Sequence, residues 1–266
     1  MIRRICAYTW LFVFSAALVF ISAASAQMVT EGLVGYWPLD EDTVAGKTAE
    51  DIWGENDGEF EGNPKMDTGK VGGALRFGGN DAVNIPGTDD LNFNGADEMT
   101  VMAWVNAEND EPVIGVVAGC CGTIVAQRDV SGWALRFDGR NPGLEMEFIV
   151  HSAAAWVGDG GFGAPKLAEG EWHHLAGVID GDTLLFYLDG EFLSETAFAG
   201  PIASTGSETE IGHAQDGGFI GLIDEVAIYN RPLSADEVEQ NFEAKGLAVD
   251  AVGKLATHWG QVKAQR

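Results

Sequence analysis

The stretch at residues 170–194 constrains the fold most, because it predicts three antiparallel strands in succession. The first covers residues 172–178, and residues 183–188 and 191–194 form a hairpin. Asp189-Gly190 closes that hairpin and supplies the positive φ that a two-residue turn requires. Apolar side chains alternate onto both faces of residues 183–188. A strand covered on both faces indicates a sandwich of two sheets.

The rest of the chain repeats this pattern of short strands between turns rich in Gly, Asn and Asp. The predicted strands lie at residues 32–40, 74–77, 82–85, 99–107, 123–128, 132–138, 143–151, 153–157, 208–213 and 219–230. They predict an all-β domain, a two-sheet antiparallel β-sandwich, over residues 27–246. Ser234 and Glu237 form a capping box that predicts one short C-terminal helix.

The N-terminus has the pattern of a secretory signal peptide. Arg3 and Arg4 precede an apolar run at residues 10–21, and Ala24-Ser25-Ala26 is typical of a cleavage site. We therefore expect residues 1–26 to be removed and the protein to be secreted, extracellular or periplasmic. The alternative is an uncleaved N-terminal anchor. No second run long enough to span a membrane follows.

The charge balance limits the partners of this protein. The chain has 41 acidic and 15 basic side chains, for a formal net charge of −26. Such a surface repels phosphate backbones, so we expect no nucleic acid partner. Two explanations stay open: an acidic surface that only keeps the protein soluble, or one that also holds divalent cations.

Two adjacent cysteines, Cys120 and Cys121, follow the signal segment. Secretion permits a disulfide, although neighbouring Cα atoms lie closer together than most disulfides need. The sequence leaves two alternatives, a disulfide between neighbours or two free thiols. A zinc site is poorly supported without a second Cys or His pair nearby.

Several segments together resemble the laminin-G-like domains, which have the concanavalin A-like jelly-roll fold. The resemblance covers about residues 32–245. It is carried by Gly-Leu-Val-Gly-Tyr-Trp at residue 32, by Trp-His-His-Leu-Ala at residue 172, by Tyr-Leu-Asp-Gly at residue 187, and by Ile-Asp-Glu-Val-Ala-Ile-Tyr-Asn-Arg at residue 223. It implies a jelly roll whose first and last strands are neighbours.

The resemblance also implies a structural calcium ion that joins the first strand to the last. Carried over by position, Asp40 and Asp224 are the expected carboxylate ligands, and Asp57 and Gly79 lie in turns that could add oxygens. Calcium binds oxygen ligands of these kinds. The alternative is that these acids only solvate loops.

A carbohydrate site is the second expectation. Sugar sites combine aromatic faces with a few aimed polar groups, and the middle strands carry Trp133, Trp156, His151 and Arg128. The alternative is that both tryptophans pack in the core or at its rim, the commoner fate of tryptophan.

Catalysis is the third possibility. Glu145 and Glu147 share one strand face, and their segment faintly resembles the acidic motif of laminarinase-type glycoside hydrolases. It departs from that motif because Glu147 replaces an Asp and Val150 stands in place of the third carboxylate. Alternating acids are usually a solvated strand face.

The sequence therefore predicts a secreted, non-catalytic binding module with a structural calcium ion. We expect its partner to be an extracellular glycan or a surface protein. The main alternative is a structural or adhesive extracellular protein without a sugar site, and the third is a laminarinase-type hydrolase. Residues 247–266 form a tail that either packs on the sandwich or extends from it.

Overall fold

The structure is a computed structural model that describes residues 26–108, 115–116, 120–128, 131–140, 146–158, 167–206 and 208–247. Two antiparallel sheets face each other across one apolar core, and one short helix lies outside them. This is the predicted sandwich. The predicted signal segment lies almost entirely outside the described residues, and the tail does so after Leu247. No helix within the described part is both long enough and apolar enough to cross a bilayer.

The first sheet has eight strands. They are β1 (Leu33–Trp37), β5 (Lys65–Thr68), β6 (Gly73–Gly78), β8 (Glu98–Ala107), β13 (Trp172–Asp180), β14 (Thr183–Leu188), β15 (Glu191–Ala197) and β19 (Ile220–Tyr229). Their order across the sheet is β15-β14-β13-β8-β19-β6-β5, and β1 also pairs with β19. The stretch at residues 170–194 therefore forms three consecutive strands at one edge, as its turns predict.

The second sheet has eleven strands. They are β2 (Val44–Ala45), β3 (Thr48–Ala49), β4 (Gly58–Glu61), β7 (Ala82–Ile85), β9 (Cys121–Arg128), β10 (Gly132–Asp138), β11 (Met146–His151), β12 (Trp156–Val157), β16 (Thr209–Ile211), β17 (His213–Ala214) and β18 (Gly217–Gly218). The main order is β12-β11-β10-β9-β16-β7-β4-β3-β2, and the small hairpin β17–β18 pairs with β9.

The first sheet is apolar on both faces. Its inner face meets the second sheet in a core whose large members include Trp37, Phe77, Trp133 and Phe148. Its outer face carries a second cluster with Tyr36, Met102, Tyr229 and Val238, beneath helix α1 (Ala235–Glu243). The helix thus completes a third layer over the first sheet.

Helix α1 begins where the sequence predicts. Ser234 accepts a hydrogen bond from the backbone N–H of Glu237, and the Glu237 carboxylate accepts one from the backbone N–H of Ser234. Arg231 donates two further hydrogen bonds to Glu237, of 2.9 and 2.7 Å. The hydrogen bonds and the Arg231 charge hold the pKa of Glu237 down to about 2. The helix start is therefore tied to the end of β19.

Candidate functional site

A junction on β19 brings acidic groups together. β8 runs along one side of β19, whereas β6 and β1 share the other side, with β6 beside residues 220–223 and β1 beside residues 226–229. The register shifts between Asp224 and Ala227, and Glu225 adopts a φ of 54°. This bulge lies where one neighbouring strand gives way to the other. Asp224 and Glu225 therefore occupy the gap between β6 and β1.

Asp40 reaches the same gap because β1 ends there and β6 begins there. Its Oδ1 accepts a hydrogen bond of 2.5 Å from the backbone N–H of Gly73, the first residue of β6. Asp224 Oδ2 accepts bonds from the backbone N–H groups of Lys70 (2.8 Å) and Val71 (3.0 Å) in the same loop. The sequence-based prediction placed Asp40 near Asp224, and both carboxylates bind this one loop.

The negative charges of the carboxylates at the junction repel one another. Burial, with the charges of Glu225 and Asp40, raises the pKa of Asp224 to about 8, although the two backbone hydrogen bonds act in the opposite direction. Burial and the Asp40 charge likewise raise the pKa of Glu225 to about 7, opposed by a hydrogen bond from the Tyr36 hydroxyl. Asp224 Oδ1 is buried and has no hydrogen-bond partner among the described residues. Among the described residues, no cation contributes to the pKa of Asp224 or Glu225, and both carboxyl groups are shifted towards the protonated form.

A cleft of about 270 Å³ opens beside these acids, and we call it the carboxylate cleft. It is lined by Tyr36, Pro38, Asp40, Asp42, Thr43, Ile52, Val71, Glu225, Lys245, Gly246 and Leu247. The lining combines apolar residues with the three acids Asp40, Asp42 and Glu225. A cation with oxygen ligands is the chemistry that such an arrangement can hold.

The structure does not bring the other two expected metal ligands to this cleft. Asp57 is exposed, and its Oδ1 accepts a hydrogen bond of 2.9 Å from the backbone N–H of Asp51. Gly79 follows the far end of β6, where its carbonyl oxygen lies against Gly218. The full length of β6 separates Gly79 from Asp40. The expectation that all four residues form one site is therefore wrong for Asp57 and Gly79.

The second candidate region is the outer face of the second sheet, where a buried network of charges surrounds Arg136. Arg136 is 2% exposed. It donates hydrogen bonds to Glu147 (Nε to Oε2, 2.9 Å) and to Asp216 (2.5 Å), and it forms a salt bridge of 3.5 Å with Asp138. Arg140 also binds Asp138. Burial alone would raise the pKa of Asp138, but Arg140 and Arg136 hold it below its usual value.

Two of the expected sugar-binding residues, His151 and Trp156, lie on this face and contact each other. They are direct partners across β11 and β12, with ring centroids 4.8 Å apart in an edge-to-face arrangement. Both are half-buried. Trp156 packs against a small cluster on the same face, formed by Ala126, Ala134, Ile149 and Ala214. The hairpin β17–β18 supplies Ala214 and, at its turn, Asp216, so it lies over part of this face.

The expectation that Trp133 binds a ligand is wrong. Trp133 is 0% exposed and packs edge-to-face on Phe93 inside the core. Its strand alternates Trp133, Leu135 and Phe137 inward with Ala134, Arg136 and Asp138 outward. The side chain of Arg128 and all of Glu145 lie outside the described part of the chain. Glu147, the other acid of the suggested catalytic pair, is fully buried against Arg136.

The cysteine pair lies at the end of β9, opposite the end of β10. Cys121 pairs in register with Asp138, and the structure places the sulfur atoms of Cys120 and Cys121 in a disulfide. The two sulfurs and an Asp138 oxygen lie within 4.8 Å of one another. Bonded sulfurs cannot act as thiolate ligands, and Asp138 already binds two arginines. This geometry favours a structural role over a metal site.

Sequence reasoning missed three residues that the structure places at the candidate sites: Glu225, Arg136 and Asp216. Alternation along residues 133–138 could have identified Arg136, because it puts Arg136 on the face opposite Trp133. Nothing local identifies Glu225 or Asp216. The first depends on a bulge and the second on how a hairpin folds over the sheet.

Solved structures share this fold at low sequence identity. Domain 4 of AbnA, a GH43 extracellular arabinanase from Geobacillus stearothermophilus solved with arabinotriose, aligns with a TM-score of 0.60 at 20% identity, over 79% of this chain and 97% of that domain. The binding domain of Paraclostridial Mosquitocidal Protein 1 aligns with a TM-score of 0.60 at 15% identity, over 80% of this chain and 52% of that one. This chain thus spans about half of that structure.

The solved structures that share this fold also include an enzyme. A Trypanosoma rangeli sialidase solved with the inhibitor DANA aligns with a TM-score of 0.58 at 16% identity, over 82% of this chain and 34% of the sialidase. At such identities the likeness concerns the fold alone. No curated protein sequence gives a significant match.

One family model matches most of the sandwich. The model described as the concanavalin A-like lectin/glucanases superfamily matches residues 77–239, which is more than half of the chain. The matched segment includes the cysteine pair, the Arg136 network and all of β19. The strand order, the helix and this match all indicate the same fold. The chain belongs to the concanavalin A-like lectin/glucanase superfamily.

Proposed function

We propose that this protein is a secreted, non-catalytic module that binds carbohydrate at the outer face of the second sheet. The observation that carries the proposal is the half-buried pair of Trp156 and His151 at the rim of a sheet face whose centre is held by the buried charges of Arg136 and Glu147. His151 and Glu147 are four residues apart on β11, or about 13 Å at the usual rise of a strand. Aromatic rings with a few rigid polar groups are the usual elements of a sugar site.

The likeness to domain 4 of the arabinanase supports this proposal. That domain was solved in complex with arabinotriose, and nearly its whole length aligns with this chain. A ligand here would contact Trp156 at the rim of the sheet and reach polar groups towards the β17–β18 hairpin. The Arg136 network would keep that hairpin in place.

A glycan array with matched variants tests the proposal. The signal-free protein should bind a defined set of glycans, and Trp156→Ala should weaken binding at least about tenfold, equivalent to about 1.4 kcal/mol. Phe192→Ala is the control, because Phe192 is an exposed aromatic residue on β15 of the other sheet. A well-folded protein that binds no glycan, or equal losses in both variants, would favour the structural or adhesive alternative.

Hydrolysis is the competing function, since this fold also occurs in a sialidase. The Glu147 carboxylate is bound to Arg136 and shielded from solvent, which favours a structural role for it. We expect Glu147→Gln to lower the free energy of unfolding. We expect neither the native protein nor this variant to release reducing sugar from glycans. Measurable hydrolysis that Glu147→Gln abolishes would contradict a non-catalytic module.

We further infer that a calcium ion binds at the carboxylate cleft, held by Asp40, Asp224 and Glu225. The residues fit such an ion, because Asp224 Oδ1 is buried without a partner among the described residues and three acids share one junction. A divalent cation would supply the missing partner and relieve the repulsion. Its role would be to join the end of β1 to β19 and β6.

Thermal unfolding with calcium or EDTA tests this site. Calcium should raise the melting temperature of the protein, because a ligand that binds the native state stabilises it. Asp224→Asn should abolish that response, whereas the control Asp57→Asn should keep it, because Asp57 lies in the Asp51 turn. The competing explanation is a protonated Asp224 without any ion. It predicts no response to EDTA and little change in Asp224→Asn.

A further inference from the structure

The outward-facing row that includes the Trp156 cluster continues across the second sheet to Glu210. Ile149 lies opposite Ala134, and Ala134 lies opposite Ala126, each on a neighbouring strand. Ala126 in turn lies opposite Glu210 on β16. Residues directly opposite each other in a ladder point to the same face, so Glu210 shares the face of Trp156. Strands β12 and β16 are four positions apart in the sheet, which is about 19 Å at the usual strand spacing.

The end of this face around Glu210 is acidic. Asn84 lies opposite Glu210 on one side and opposite Glu59 on the other, so these three side chains share the face. Glu61 accepts a hydrogen bond of 3.0 Å from Nδ2 of Asn84. Burial, with the charges of Glu208 and Glu61, raises the pKa of Glu210 to about 7. A carboxylate whose neighbours already disfavour its charge also opposes the approach of a further negative group.

The arginines described at the centre of this face are bound to acids. Arg136 binds Glu147 and Asp216. Asp138 binds both Arg136 and Arg140. Two formal positive charges therefore meet three negative ones, and a ligand carboxylate or sulfate would have to compete with these acids for either guanidinium group. The charged side chains described on this face together disfavour an anionic ligand.

We propose that the outer face of the second sheet selects glycans that carry no anionic group and rejects sulfated, uronic or sialylated ones. This inference rests on the carbohydrate site proposed above and names its class of ligand. Hydroxyl groups of a neutral sugar can donate hydrogen bonds to Glu210 and Glu61, because ionised carboxylates only accept them. The ammonium group of an amino sugar is attracted by the same acids, whereas a ligand sulfate or carboxylate is repelled.

A glycan array of matched pairs tests the selection. The signal-free protein is measured at pH 8 on neutral glycans and on sulfated or sialylated glycans with the same backbone. Each anionic glycan should bind at least about tenfold more weakly than its neutral counterpart. That gap should shrink when NaCl is raised from about 20 to 300 mM, because salt screens the repulsion. De-N-acetylated glycans, which carry an ammonium group, should bind at least as tightly as their N-acetylated counterparts.

Glu210→Gln should narrow the gap at least about threefold, because it removes a negative charge from this face. Glu195→Gln is the matched control, an identical change at an exposed site on β15 of the other sheet. Anionic glycans that bind as tightly as their neutral counterparts at low salt would overturn the selection and leave the carbohydrate site intact. Equal effects of the two variants would do the same. A folded protein that binds no glycan at all would overturn the carbohydrate site and the selection together.

Discussion

At the scale of single residues, buried charge has the largest consequences. Arg136 is the counter-ion of Glu147 and Asp138, both of them fully buried, and it also holds Asp216. An ion pair at this depth gains little over apolar packing, but removing one partner leaves a buried charge without compensation. Through Asp216, the network also links the hairpin β17–β18 to the sheet beneath it.

Replacing Arg136 should accordingly destabilise the protein strongly. We expect Arg136→Met to lower the free energy of unfolding by about 3–5 kcal/mol, as measured by urea denaturation. Arg76→Met is the matched control. Arg76 pairs with Asp67 and Glu108 at the surface, where ion pairs contribute about 1 kcal/mol or less. Similar losses in both variants would show that the Arg136 network is not a buried unit.

His174 should give the protein a pH-dependent stability. It packs against Trp104 and Phe242, and burial lowers the pKa of His174 to about 4 in the folded state, with the Lys70 charge acting in the same direction. The unfolded chain has an ordinary histidine pKa near 6.5. The unfolded state therefore binds more protons between these values, and stability falls as the pH is lowered through that window.

The matching measurement compares the native protein with His174→Gln at pH 7, 6 and 5. The variant keeps a polar side chain but cannot titrate, so the stability advantage of the native protein over it should shrink as the pH falls. The full contribution to this change is about 3 kcal/mol at most. Parallel curves for the two proteins would contradict the assignment.

At the scale of elements, local rules explain the ends of helix α1. Its capping box is readable in the sequence, and the structure forms both of its hydrogen bonds. We expect Ser234→Ala to cost about 1 kcal/mol in chemical denaturation, because a backbone N–H loses its partner. Ser234→Asp should retain most of the stability, since aspartate also caps helices well. An unaffected Ser234→Ala variant would mean that Arg231 and Glu237 hold the helix start alone.

Strands in which apolar and polar residues alternate strongly could be predicted from the sequence, whereas strands that depend on tertiary contacts could not. Strands β8, β13, β14 and β19 lie where the pattern places them, within about two residues. The predicted strands include none within residues 41–64, yet this region contains β2, β3 and β4. These strands are only two to four residues long, which is too short to show a hydrophobic period.

The residues of the candidate sites also divide into those that the sequence could predict and those that it could not. Asp40 and Asp224 could be paired because the resemblance makes the first and last strands neighbours. Glu225 could not be added, since alternation sends adjacent residues to opposite faces, and only the bulge reverses this. Trp133 was misplaced although Leu135 and Phe137, two and four residues further on, mark its face as the inner one.

At the scale of the whole molecule, the acidic surface opposes compaction. With 41 acids against 15 basic residues, the folded chain repels itself at low ionic strength. Raising KCl from about 10 to 300 mM in EDTA should therefore raise the melting temperature, since salt screens these charges over a few ångströms. A fall in the melting temperature would mean that attractive ion pairs, such as those of Arg136, outweigh the repulsion.

The pairing of β1 with β19 also decides how the domain responds to mechanical load. Leu33 lies opposite Tyr229, so the chain enters and leaves this ladder at the same end. Tension applied through the two flanking segments would break the hydrogen bonds of the β1–β19 ladder one after another from this end. It would not load all of them at the same time. Asp40 and Asp224 lie at the opposite end of this ladder, so a metal ion bound by them would be the last interaction to break.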